Sequence, residues 1–190
     1  MVWNLAVGEN IDGQPDLHLK GMICLYMKSI DKAQIAADEL KKILQPRVNK
    51  KLMRYYYHLV GMIELETDDS SKAITYFKRA LSLLPFQHSE LDDHALFIYP
   101  LASAYYEAGD LEKAQEQHKK IASLTTGRLF SGDIFAKSFY MLGEIYQEKG
   151  WKEKAVEHYA QFIKLWKDVD PGTPEVEDAK ERLNRLRAES

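Results

Sequence analysis

Six histidines, His18, His58, His88, His94, His118 and His158, are the residues of this chain best suited to metal or proton chemistry, and their spacing does not converge. Only His88 and His94 lie close together, near the start of a helical pattern where surface exposure is expected, and no metal-ligand motif links any of the six. The acid pairs Asp68 with Asp69 and Asp92 with Asp93 have the residue types for general acid and base work. Both pairs sit at helix starts, where a carboxylate caps free amides and favours the positive end of the helix dipole, so capping is their expected role. No serine or cysteine lies in a nucleophile-elbow motif. Gly127 and Gly132, with Arg128 between them, read as a connector rather than a phosphate-cradling loop. No catalytic residue, metal or cofactor is expected, and the chain is read as a non-enzyme.

The 190 residues carry 29 acidic and 26 basic side chains without a long run of either sign, so no field selects nucleic acid or an anionic membrane. A hydrophobic content of 45% supports a sizeable core, and no apolar run reaches the length of a membrane span. The single cysteine, Cys24, excludes an internal disulfide and fits a reducing, cytoplasmic setting. The expected partner is another protein or a peptide, with a homo-oligomer as a further possibility.

The elements that must position these side chains follow from a period. Ala33, Ala73, Ala114 and Ala155 recur every 40 or 41 residues, each at the same place in a helix-turn-helix pattern. Such a unit cannot bury its apolar face alone and must stack on its neighbours. Helical pairs are expected over about 15–28 and 31–45, 50–66 and 70–84, 90–107 and 111–124, and 132–148 and 152–166. Pro85 supplies one stop, Gly109 and Gly150 mark left-handed turns, Pro100 is expected to kink its helix, and 125–131 is the longest connection. After Pro171, Val176, Ala179, Leu183 and Leu186 form one apolar stripe opposite a highly charged face, as a capping helix needs.

Placed on 34-residue frames beginning at Gln14, Arg54, Ala95 and Ala136, these units resemble the tetratricopeptide repeat. The small frame position is Gly21, Gly61, Ala102 and Gly143, and the alanine series supplies the other anchor. The second repeat adds Tyr57, Val60, Phe77 and Ala80; the third adds Leu101 and Tyr105; the fourth adds Phe139, Leu142, Tyr146 and Tyr159. The first is degenerate, with Lys20, Cys24 and Ala37 at usually apolar or aromatic positions. The period exceeds the usual 34 by about two helical turns, so helices or connections are longer than standard. The stretch from Phe162 to Leu186 is similar to the C-terminal end of long bacterial tetratricopeptide proteins that carry a signalling domain ahead of the array.

The resemblance implies an all-α, right-handed α-solenoid: an N-terminal extension at 1–13, or the end of a preceding element, then an array over 14–170 and a capping helix over 171–190. The repeats fall near 14–47, 54–87, 95–128 and 136–169. It also implies that the first helix of each unit lines a concave groove. Tyr55, His58, Tyr99, Tyr106, Tyr140 and Glu144 are the expected groove contacts, while Met22, Leu25, Met62 and Leu65 serve packing between repeats as readily as ligand contact. His58, Met62 and Pro100 stand where a clamp for a chaperone's terminal carboxylate would need cationic and amide side chains, which argues against that ligand. The expected function is a non-enzymatic scaffold gripping a peptide or helix. The rivals are a regulatory domain that senses a small ligand or signalling peptide, and a self-association module.

Overall fold

The computed structural model describes residues 16–84, 94–124, 131–166 and 173–188. The expectations placed on Pro15, Pro85, His88, Asp92, Asp93, Gly127, Arg128 and Pro171, and on the 1–13 extension, lie outside these residues. The described residues form nine α-helices and no strand, in two compact units, Met1–Phe86 and Gln87–Ser190. Among them no helix is long and apolar enough to cross a membrane.

The first unit holds two hairpins. Helix α1 (Leu17–Tyr26) pairs with α2 (Ile30–Leu44), and, after a 3-10 turn at Lys50–Leu52, α3 (Met53–Glu66) pairs with α4 (Ser70–Ser82). The second unit repeats the plan with α5 (His94–Glu107) on α6 (Leu111–Ser123) and α7 (Gly132–Glu148) on α8 (Lys152–Trp166). Its last helix, α9 (Pro174–Ala188), packs on α8.

The periodic alanines explain the hairpins. Ala33, Ala73, Ala114 and Ala155 are all completely buried, each one turn into a second helix where only a methyl group separates it from the first. Larger residues complete each core: Leu44, Leu59, Val60 and Ile63 in the first unit, and Leu142, Tyr159, Phe162 and Trp166 in the second. Ala37, read as a weak point of the degenerate first repeat, is also fully buried.

Glycine at the small frame position has a direct steric cause. A Cβ on Gly61 would stand 2.5 Å from the ring of Phe77, and one on Gly143 would stand 2.7 Å from the ring of Tyr159, each across its own hairpin. Gly21 differs: a Cβ there would meet Leu59 of the following hairpin at 2.4 Å, so it admits a neighbouring repeat rather than its own partner helix.

Every first helix ends the same way. Ser29, Asp69, Asp110 and Trp151 donate their amides to the carbonyls five residues back, at 2.8, 2.9, 2.9 and 2.8 Å. This closure requires the preceding residue to be left-handed. Those residues are Lys28 (φ 56°), Asp68 (φ 61°), Gly109 (φ 76°) and Gly150 (φ 72°). The positive φ at Lys28 ends α1 at Tyr26, short of the expected Lys28. Of the paired acids, Asp69 accepts from the amide of Lys72 at 3.0 Å and is the cap, whereas Asp68 takes the strained turn. Pro100 lies buried inside α5, which runs on through it as one helix, with the Leu96 carbonyl deprived of its usual amide partner.

Candidate partner-binding faces

In the first unit the repeat period brings together two histidines that are remote in sequence. His18 on α1 and His58 on α3 occupy the same frame position, and their imidazoles are joined by a 3.0 Å hydrogen bond between Nε2 of His18 and Nδ1 of His58. Both are buried, and burial pushes the His18 imidazole down to about 4. His58 is 1% exposed, so it supports the face from beneath rather than meeting solvent. Tyr55 lies above the pair, its ring 5.4 Å from His18. The Arg54 guanidinium sits 4.3 Å from the Tyr55 ring centre, and its Nη2 donates to the phenolic oxygen at 2.9 Å. Tyr55, half-buried and held by a cation, is therefore the expected contact that the first unit leaves at its surface.

In the second unit the expected residues form part of a polar ladder. Tyr99 is half-buried edge-on against the buried His118, at a centroid distance of 5.6 Å, and burial pushes its phenol up to about 12. Tyr106 donates to Glu148 of α7, and burial together with that bond raises its pKa. Tyr140 donates to Asp178 of α9 at 2.7 Å and to Glu144 at 3.3 Å. Glu144 also meets the Arg182 guanidinium at 3.1 Å, and burial holds its carboxyl above the usual range. Lys137 and Glu175 pair at 2.8 Å one turn further along.

The final helix thus contributes to the face as well as covering a core. Its charged side, expected as the polar face of a capping helix, carries Glu175, Asp178 and Arg182 against Lys137, Tyr140 and Glu144. The signal lay in the sequence: both triplets have successive spacings of three and four, so each forms one stripe on a helix. Glu148 was missed because it falls one residue beyond the inward frame position held by Gln147. Arg182 pairs with both Glu144 and Asp178, Lys137 pairs with Glu175, and Glu148 is held by the Tyr106 hydroxyl.

Among the described residues no group of three or more histidine, cysteine or acidic side chains is placed to hold a metal ion.

The comparisons agree with this geometry at the level of the fold. The tetratricopeptide repeat profile matches residues 55–85 and 136–166, one match in each unit. A crystal structure of the apo form of RapI superposes with a TM-score of 0.73 at 16% identity, covering 91% of this chain. The chain spans 62% of that structure's length. No curated protein matches the chain in sequence. The fold class is accordingly an all-α solenoid of tetratricopeptide-type hairpins.

Proposed function

We propose that the chain is a non-enzymatic interaction module whose first-helix faces receive a peptide or helix from a protein partner. Tetratricopeptide repeats typically serve as protein-binding modules, and this supplies the class of activity. The observation that carries the finer reading is the second unit's ladder, in which Glu144, Glu148, Glu175 and Asp178 outnumber Lys137 and Arg182 on a tyrosine-lined face. A lysine or arginine of the partner would replace Tyr106 as the companion of Glu148. Glu144 and Asp178 are half-buried, and such carboxylates reward an ion pair more than an exposed one such as Glu148 does, because less water screens them. Tyr55 gives the first unit an aromatic anchor of the kind that concentrates binding energy in protein interfaces.

The test is to pan a displayed peptide library on the full chain. Binders enriched in lysine or arginine, whose affinity falls about tenfold or more in the Glu144→Gln, Glu148→Gln double variant, are the expected result. Circular dichroism establishes that the variant is folded. Binders of no preferred charge, or equal affinity for the folded variant, would overturn the reading.

A further inference from the structure

The first unit has a cavity of about 530 Å³ lined by the ends of α2 and α4, the 3-10 turn and the start of α3, and neither Tyr55 nor His58 lines it. Lys41 near the end of α2, Lys50 in the 3-10 turn, Tyr56 and Tyr57 on α3, and Tyr76 and Arg79 on α4 line it. Its size lies within the range of small-molecule sites, and its lining is unusual. Three cationic side chains converge on it and it contains no carboxylate.

The state of these cations is the central observation. Among the described residues, none of Lys41, Lys50 and Arg79 has an acidic partner, whereas Lys28, Lys72, Lys137, Lys149 and Arg182, among others, do. Lys41 stands 5.5 Å from the Tyr56 ring centre and Arg79 stands 5.7 Å from that of Tyr57. The Lys50 ammonium donates to the Gln45 carbonyl at 2.5 Å, which leaves two of its three hydrogens for a ligand. Tyr57 and Tyr76 lie nearly parallel, 28° apart with centroids 6.4 Å apart, and Met53 supplies an apolar surface beside them.

Cations at the ends of α2 and α4 also offset the negative ends of those helix dipoles. That role explains a lysine or arginine on each helix separately. Lys50 also serves the end of α2 through the Gln45 carbonyl, but the role does not explain why three such cations meet at one cavity or why tyrosines gather among them. Flexible ammonium groups, a guanidinium fork and hydroxyl donors around an aromatic wall are the components that bind a phosphate carried on a planar ring.

We propose that this cavity is a binding site for a small organic phosphate bearing an aromatic or heteroaromatic ring, with Lys41, Lys50 and Arg79 holding the phosphate and the tyrosines packing against the ring. The site is independent of the partner-binding faces: it lies on other side chains and calls for a ligand of opposite charge. It would give an interaction module an input from a small molecule.

The full-length chain is titrated with phenyl phosphate, adenosine monophosphate, inorganic phosphate and phenol, and the backbone amides and tyrosine rings are followed by NMR. Saturable shifts centred on Tyr56, Tyr57 and Tyr76 with one or both ring phosphates, weaker binding of inorganic phosphate and none of phenol are expected. The Lys41→Gln, Arg79→Gln double variant should bind the ring phosphate about tenfold more weakly or worse, and Lys72→Gln, an exposed lysine outside the cavity, should bind it normally. Circular dichroism reports whether the double variant folds. Should it fail to fold, Lys50→Gln, which removes only one side-chain bond to the Gln45 carbonyl, takes its place. The proposal is overturned if neither ring phosphate gives saturable shifts, if the shifts scatter over other lysine-bearing faces, or if a folded cavity variant binds unchanged. A loss of peptide binding in the Glu144→Gln, Glu148→Gln variant leaves this cavity unaffected, so the two readings fail separately.

Discussion

Lys28 and Asp68 show how a repeat can keep its geometry without its usual residue. Both occupy the left-handed position that Gly109 and Gly150 fill in the second unit, and a side chain there is strained by roughly 1 kcal/mol. Lys28→Gly and Asp68→Gly are each expected to raise stability by about 0.5–1 kcal/mol, read from urea unfolding midpoints, although glycine also frees the unfolded chain. A loss of stability in both would remove the strain argument. The buried histidines make an opposite prediction about acid. Burial lowers the pKa of His18 and of His118 to about 4, so the unfolded chain takes up protons first. The stabilisation is complete above the ordinary value near 6.5 and declines as pH falls from there toward 4, by as much as about 3 kcal/mol for each ring. Unfolding followed between pH 7 and pH 4 should show this decline. His18→Gln and His118→Gln should flatten it, and an unchanged slope in both would show that other groups control it.

The spacing of the alanines and glycines made the hairpins legible before any coordinates, because a completely buried methyl and a missing Cβ are features of single positions. A methyl at Gly61 or Gly143 must displace a fully buried ring, so Gly61→Ala and Gly143→Ala should each lower stability by about 1–3 kcal/mol, measured by thermal unfolding. Gly109→Ala meets no neighbouring atom, and its smaller penalty would come from φ alone. The ladder was only partly legible. Tyr99, Tyr106, Tyr140 and Glu144 were singled out on the frame, but what each touches depends on which helix stands beside it, and a charged stripe alone does not distinguish water from a neighbouring helix. Arg182→Ala should destabilise the second unit by about 1–2 kcal/mol, because it leaves Glu144 half-buried without its cation. A neutral result in a calorimetric melt would reduce the pair to a surface contact.

At the scale of the chain, the two units have cores built from separate sets of residues, Leu17 to Ile63 in one cluster and Ala136 to Leu186 in another. Stability in repeat proteins sums over neighbouring elements, so damage is felt first where it is made. Leu59→Ala, at a fully buried site, should cost about 2–5 kcal/mol. Amide exchange in that variant should rise most between residues 16 and 84. Equal acceleration over residues 131–166 would instead indicate one cooperative block. The class of fold was visible in the period, yet the grouping into two units was not, since a regular period treats every junction alike. The phosphate cavity was invisible for a related reason: its cations come from two helix ends and a 3-10 turn, and no local motif joins them.

The stripe on α9 repeats the spacing of α7, so the helix after the fourth repeat imitates part of the first helix of a fifth. A duplicated hairpin inserted between Trp166 and Thr173 would offer α9 a second copy of Lys137, Tyr140 and Glu144 to close upon, while the original copy faced the newcomer. The newcomer's first helix carries Lys137, Tyr140 and Glu144 in place of Glu175, Asp178 and Arg182, so it would set Lys137 against Lys137 and Glu144 against Glu144. Inserting that hairpin thus calls for reversing the charges on one of the two stripes, because like charges would otherwise meet along the new junction.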